Sequence, residues 1–218
     1  MNLGVTWNIF LAALPVLFAG ALRALCAHFR KAGARGCPWF LWLPLGLLWF
    51  VFLPNACYLV TEWRHFLFQG FPYALQNYEG RDALIFIAKD GLFFLLYSLT
   101  GCLCFALAIR PVEQLVRQTG RSPLLWAAPF FFLISLGVYL GLFVRLNSWN
   151  VVTHPSEVLR ITVHTLRDSQ VSTAIVVFAF LLFLLYEGFD IFLDGVALRL
   201  GRRRLRLPFL HKSHHRPA

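Results

Sequence analysis

The chain contains 218 residues, of which 59% are hydrophobic and 17% aromatic, while only 14% are charged. A typical soluble domain is about 45–50% apolar and about 25% charged. This composition excludes a disordered chain, a collagen-like chain and an ordinary soluble domain. The mean hydropathy of +0.66 indicates a membrane protein.

Five stretches are long and apolar enough to cross a bilayer, which takes about 20 residues of helix. They cover residues 7–27, 38–63, 82–109, 124–146 and 171–197. No Lys or Arg precedes the first stretch, so we expect a retained helix and no cleavable signal peptide. The sequence predicts an all-α, polytopic transmembrane helical bundle of about five spans, with one domain at residues 1–198 and a basic tail at 199–218.

The distribution of basic residues predicts the orientation of these spans. Thirteen Lys and Arg residues fall in the loops and tail that would share one side, against five on the other side. Positively charged loops stay in the cytoplasm, so we expect the N-terminus outside and the C-terminus inside. The formal charge of +10 then reflects basic loops and a basic tail that face an anionic membrane surface. We expect the tail to bind anionic lipid, and we expect the protein not to bind nucleic acid.

Two segments on the outer side are not predicted to span the bilayer. Residues 64–80 are rich in Phe and Tyr, which collect at the membrane–water boundary, so this segment is predicted to be interfacial or re-entrant. Residues 155–167 separate polar and apolar side chains at helical spacing. They predict a short helix that either lies on the outer membrane surface or serves as a solvated linker.

The second span carries a polar stripe near its outer end. Asn55, Tyr58, Glu62 and His65 are spaced by three, four and three residues, which places them on one face of a helix. A carboxylate and an imidazole three residues apart can converge on a metal ion, and Asp90 of the third span would be the next ligand. A structural hydrogen-bonded pair is the alternative.

The fourth span offers a cation and a packing face. Gly137, Gly141 and Arg145 are spaced by four residues, and the two glycines allow close approach of a helix-packing partner or of a second copy of the chain. Because a charge in hydrocarbon needs a partner, Arg145 is expected near Glu62 and Asp90. The arrangement is either an outward-facing polar pocket or an internal salt-bridge network. The candidate pocket residues are Asn55, Tyr58, Glu62, His65, Asp90, Tyr139, Arg145, Asn147, Trp149 and Asn150.

Three acidic residues lie near the cytoplasmic end of the fifth span. Glu187, Asp190 and Asp194 fall on or near one helical face, shortly before the basic tail that begins at Arg199. We expect these acids to pair with tail arginines, and a proton or cation path is the alternative.

Several of these segments resemble an uncharacterised bacterial membrane family, domain of unknown function 1361. The resemblance covers residues 5–155 and rests on W-N at residues 7–8, F-L-P-N-A-C-Y-L-V-T-E at 52–62, G-V-Y-L-G at 137–141 and R-L-N-S-W-N at 145–150. The chain departs from the family pattern at Cys57, Glu62, Leu142 and Asn150, where the family has proline, aspartate, arginine and an acid. The resemblance implies a bacterial inner membrane and brings no activity with it.

Three functions remain open at this point. The leading hypothesis is a non-enzymatic binding, transport-accessory or assembly component with a polar pocket in the outer leaflet. The alternatives are an intramembrane metal-dependent or acid/base enzyme that uses Glu62, His65 and Asp90, and a proton-coupled small-solute carrier. No sequence motif indicates a cofactor, and none of the common catalytic motifs is present.

Overall fold

The computed structural model describes residues 3–33, 37–118, 124–147 and 149–206, and every regular element within these ranges is a helix. The elements are α1 (Leu3–Lys31), α2 (Trp39–Phe52), α3 (Pro54–Thr61), α4 (Trp63–His65), a π-helix (Phe66–Gly70), α5 (Phe71–Asn77), α6 (Gly80–Arg117), α7 (Leu124–Leu142), α8 (Asn150–Thr153), α9 (Pro155–Arg167) and α10 (Ser169–Arg206).

The predicted class, an all-α transmembrane bundle, is confirmed. Four helical stretches are long and apolar enough to cross a membrane: Gly4–Lys31, Trp39–Asn77, Gly80–Arg117 and Ser169–Gly201. The fourth predicted span corresponds to α7, which has 19 residues and is therefore about 28 Å long, close to the thickness of the hydrocarbon layer. The predicted outer segments also form helices, from α4 to α5 and in α9.

Pro54 interrupts the second span between α2 and α3. Proline has no N–H to donate, so the regular pattern of backbone hydrogen bonds breaks at this position. The Asn55 side chain donates to the carbonyl of Phe52 at 2.9 Å and satisfies an acceptor beside the break. The interruption therefore stays inside the apolar bundle at little cost.

α7 ends at Leu142, earlier than the predicted end at residue 146. Arg145 has a φ of 62°, in the left-handed region, and the N–H of Leu146 bonds back to the carbonyl of Leu140 at 3.1 Å. The chain therefore turns away before Arg145 can continue the glycine face of α7, and the predicted alignment of Gly137, Gly141 and Arg145 on one helical face is wrong.

α3 is closely packed on two sides. On the α6 side, a Cβ added to Gly101 would lie 2.6 Å from Cβ of Leu59 and 2.8 Å from the carbonyl oxygen of Ala56. On the α7 side, a Cβ on Gly137 would lie 2.8 Å from Cγ of Pro54. Small residues thus let α6 and α7 approach α3 from two directions.

The two glycines of α7 pack within the chain. A Cβ on Gly141 would overlap the Tyr58 hydroxyl, and this hydroxyl donates to the Gly137 carbonyl at 3.4 Å. The face that the sequence offered to a partner helix is therefore occupied by α3.

All five cysteines are free thiols. Cys37 lies between α1 and α2, where burial, with a contribution from the neighbouring Cys26 thiol, raises the pKa of the Cys37 thiol above its ordinary value. A raised pKa lowers the fraction of nucleophilic thiolate.

We predict that Gly141→Ala destabilises the bundle by about 1–3 kcal/mol, because the new methyl group must displace the Tyr58 ring. Thermal unfolding in detergent measures this, and Tyr58→Leu in the same chain should recover most of the loss. The matched control is Gly20→Ala on α1, where a Cβ meets nothing within 4 Å. That substitution should be neutral or should stabilise by about 0.5–1 kcal/mol. Equal losses from both substitutions would contradict the packing described above.

Candidate functional site

We call the end of the bundle where α3 finishes and α6 begins the Glu62 end. Here Oε2 of Glu62 lies 3.5 Å from Nε2 of His65, as the spacing of the polar stripe predicted. Nδ1 of His65 lies 3.4 Å from Oε1 of Gln69. Asn55 is buried and Tyr58 is half-buried, and both donate to backbone carbonyls. Most of the stripe is therefore already engaged by neighbouring groups.

Asp90 of α6 faces the π-helix. The Asp90 carboxylate occupies the space where Gly70 would carry a Cβ. Gly91, which follows Asp90 on α6, lies against the Phe66 ring. Within the described ranges, no ion pair includes Asp90 or Arg145. The predicted contact of Arg145 with Glu62 and Asp90 is therefore not formed.

The three predicted metal ligands do not converge either. Across the part of the chain that the structure describes, no group of three or more His, Cys, Asp or Glu side chains is arranged to hold a metal ion. Glu62 and His65 form a pair, and Asp90 packs separately against Gly70.

The remaining predicted residues lie after α7 or at its end. Arg145, Asn147 and Trp149 are exposed, whereas Tyr139 stacks on Phe143 with ring centroids 5.0 Å apart. The Asn147 carbonyl accepts from the N–H of Asn150 at 2.9 Å. These residues thus shape the turn into α8, and residue 148 lies outside the described ranges.

The sequence interpretation missed one contact at the Glu62 end. The Asn8 side chain on α1 hydrogen-bonds to Tyr97 on α6. Tyr97 in turn lies within electrostatic range of Glu62, the residue that caps α3. Asn8 belongs to the W-N motif that carried the family resemblance, and this motif was the signal that could have identified it.

Charged side chains also meet at the opposite end, where α6 and α10 finish. We call this group the Arg110 cluster, and it consists of Arg110, Glu113 and Arg117 on α6 with Tyr186, Glu187, Asp190 and Asp194 on α10. Nε of Arg110 lies 3.3 Å from Oδ1 of Asp190, and Arg110 also bonds to Asp194. Asp190 and Asp194 thus pair with Arg110, because α6 runs parallel to α10 and brings Arg110 to the same level. The side chains of the tail arginines from Arg202 onward lie outside the described residues, so their pairing with these acids stays a prediction.

Glu113 is the most heavily engaged acid of the cluster. Its Oε1 accepts from Nε and Nη2 of Arg117 at 3.0 and 2.6 Å, and its Oε2 accepts from the Tyr186 hydroxyl. Both oxygens of this carboxylate therefore have donors, and the contact with Tyr186 joins α6 to α10.

Two other carboxylates of the cluster are less well satisfied. Oδ1 of Asp190 is buried and accepts no hydrogen bond, because Arg110 lies near it without pointing an N–H along the contact. Glu187 has no ion pair or hydrogen bond to any described side chain. The four carboxylates of the cluster outnumber its two guanidinium groups, so the cluster carries excess negative charge.

A cavity of about 570 Å³ lies beside the Arg110 cluster, between α2, α6, α7 and α10. This volume falls within the range of about 300–1,000 Å³ that is usual for small-molecule sites. We call it the aromatic cavity because six Trp and Phe side chains line it: Trp49, Phe50, Trp126, Phe130, Phe131 and Phe183. Its polar lining comes from Glu113, Arg117, Tyr186 and Glu187.

The wall that α2 contributes to this cavity is firmly placed. Nε1 of Trp49 donates to the Ala108 carbonyl at 2.9 Å, and the Trp49 ring stacks on Phe130 with centroids 5.8 Å apart. A second cavity of about 560 Å³ lies between α7 and α10 and has an almost entirely apolar lining. It shares four lining residues with the first: Ala127, Pro129, Phe131 and Phe183. The first half of α7 is thus flanked by open space on two sides.

The helical architecture, with its charged clusters placed toward the helix ends, defines an integral membrane protein built as an α-helical bundle. The chain belongs to the family described as protein of unknown function (DUF1361), which matches residues 7–186. This match includes both the polar stripe and the α6 part of the Arg110 cluster. No curated protein and no solved structure shows significant similarity to the chain.

We predict that Arg110→Leu lowers the free energy of unfolding by about 1–3 kcal/mol, since it leaves Asp190 and Asp194 without a cation. The side chains of Arg110 and Asp190 are about one quarter exposed, so the loss should be smaller than for a fully buried pair. Thermal unfolding in detergent is the measurement. Arg64→Leu, at an exposed arginine of the Glu62 end, is the matched control and should change little. A shift in the control as large as in Arg110→Leu would contradict the role of the ion pairs.

Proposed function

We propose that the chain is a multi-pass inner-membrane protein that binds an amphiphilic molecule in the aromatic cavity and performs no chemical step on it. The observation that carries the proposal is the cavity itself, which combines six Trp and Phe side chains with charged groups on one side. Ligand sites typically pair a mainly apolar wall with a few polar groups that fix orientation.

The polarity of the cavity changes along α6 and α7. Ile109 and Leu133 line its deeper part, whereas Arg117 and Trp126 lie toward the ends of their helices. A molecule with an apolar tail and a polar head matches this gradient, with its tail toward the middle of the bundle. A fully polar solute would leave the aromatic walls without an apolar partner.

The orientation proposed for the bundle places the cavity on the cytoplasmic side. The positive-inside rule assigns the Arg110 end to the cytoplasm, and the bacterial inner membrane is the location that the family resemblance implies. The amphiphile would then enter at the level of the inner leaflet. The basic tail at residues 199–218 would hold anionic lipid at the same surface.

A second candidate site is the polar stripe at the Glu62 end. It is favoured by the contact between Glu62 and His65 and by the exposed Arg145, whose left-handed backbone is unusual for arginine. Such backbone conformations are enriched at functional sites. This end would suit a polar or anionic ligand, and it is where an acid/base activity would reside.

We predict that filling the aromatic cavity reduces the amount of co-purifying or added amphiphile. Ala127→Phe introduces a ring into the cavity wall, and it should lower the bound amphiphile per protein by at least about fivefold, because the apolar tail loses its volume. Mass spectrometry of extracts from protein in mild detergent measures the bound amount.

The matched control for this experiment is Ala88→Phe, at an exposed alanine of α6 away from the cavity. It adds the same ring at the lipid-facing surface and should leave the bound amount unchanged. Equal binding to both variants and to the unmodified chain would overturn the proposed site.

We predict that cysteines placed at the two ends of the bundle label from opposite sides of the membrane. In a cysteine-free chain, Glu79→Cys and His154→Cys should react with an impermeant maleimide outside intact cells. Gln118→Cys should react only after the membrane is opened, because it belongs to the predicted cytoplasmic end. Labelling of all three from one side would contradict the proposed topology, and a reversed pattern would invert it.

A further inference from the structure

We infer that the amphiphile bound in the aromatic cavity carries a cationic ammonium group, which is held by the Glu187 carboxylate against the aromatic wall. The inference rests on the proposed function and specifies the chemistry of its ligand.

The first reason is the balance of charge around the cavity. Glu113 has both of its oxygens engaged, by Arg117 and by Tyr186, whereas Glu187 lines the cavity without a partner among the described side chains. Glu113, Asp190 and Arg117 all lie within electrostatic range of Glu187, and the two carboxylates outnumber the one guanidinium group. A cationic head is the group that this arrangement attracts.

The second reason is that an anionic head would be poorly served. Arg117 is the one basic side chain that lines the cavity within the described ranges, and two of its nitrogens already bond to Glu113. An anion would have to displace the contact between Arg117 and Glu113, and the Glu187 carboxylate would repel it. A neutral head would leave the Glu187 carboxylate without a direct partner near the hydrocarbon layer, where unpaired charge is costly.

The third reason is the chemistry of the walls. An ammonium group over the face of Trp, Tyr or Phe is attracted by the negative face of the ring, and aromatic walls are the common device for holding such cations. Trp49, Phe130 and Trp126 all contribute to the lining. A carboxylate together with several aromatic faces therefore favours an ammonium over a neutral head by two independent interactions.

The test uses the full chain in micelles of dodecyl maltoside, whose headgroup carries no charge. Two probes of equal length, nitroxide-labelled dodecylammonium and nitroxide-labelled dodecanol, are titrated while tryptophan fluorescence is followed. Trp49 and Trp126 line the cavity, so bound probe quenches their emission. We expect the ammonium probe to bind about tenfold more tightly than the alcohol, from the combined carboxylate and ring contacts.

Glu187→Gln should remove this preference, while Glu187→Asp, which keeps the charge, should retain part of it. The matched control is Glu157→Gln, at an exposed glutamate of α9 at the other end of the bundle, which should keep the full preference. Size-exclusion chromatography of each variant checks that it is folded. Equal affinities for the two probes, unchanged by Glu187→Gln, would overturn the inference.

Ala127→Phe separates this failure from failure of the proposed function. If both probes bind equally and both are lost in Ala127→Phe, the cavity binds amphiphiles and the ammonium preference alone is wrong. If Ala127→Phe leaves the quenching by both probes unchanged, the aromatic cavity is not the binding site and both proposals fall.

Two sources could supply the ammonium group, a lipid headgroup or a soluble lipophilic amine. Adding phosphatidylethanolamine to the micelles separates them, with phosphatidylglycerol as the control lipid. Competition by phosphatidylethanolamine alone supports a lipid of the surrounding leaflet. A preference for the ammonium probe that neither lipid competes away supports a soluble amine.

Discussion

The arrangement of the bundle depends on how closely α6 and α7 can approach α3. Gly101, Gly137 and Gly141 stand where these helices meet α3, and a Cβ at any of them would collide with an α3 side chain or carbonyl. Without the glycines, the helices would have to separate and lose the contacts that hold the Glu62 end together. At the opposite end, α2 takes the place of α3 and presents Trp49 and Phe50 instead. The same helices are therefore tight at one end and enclose a cavity at the other.

The two ends also differ in how their polar groups are satisfied. At the Glu62 end, Asn55, Tyr58 and Ser98 donate to backbone carbonyls, which fixes helix positions and leaves little bonding capacity unused. At the Arg110 end, the partners are mainly side chains, the acids are in excess, and Asp190 retains a buried oxygen without a donor. Binding of a ligand is more favourable where groups are not already committed, since fewer existing bonds must be broken.

Sequence reasoning succeeded where a single helix determines the outcome. Length and hydropathy predicted the helical spans, and the spacing of Glu62 and His65 predicted their contact. It failed where the position of a second helix matters. Asp190 and Asp194 of α10 pair with Arg110, which is far away in sequence, because helix packing decides which cation lies at their level. Arg145 was misplaced because the backbone conformation that ends α7 is not encoded in the periodicity of its apolar residues. The aromatic cavity depends on four helices and has no local signal.

α7 is half as long as α6 and α10, which both have 38 residues. A helix of about 28 Å just matches the hydrocarbon layer, so it has little spare length with which to absorb a change in bilayer thickness. A thicker bilayer must thin around α7, or α7 must tilt less from the membrane normal. Either adjustment costs only fractions of a kcal/mol per Å of mismatch. Because α7 forms one wall of both cavities, the room available to a guest molecule becomes a function of the lipid composition around the protein.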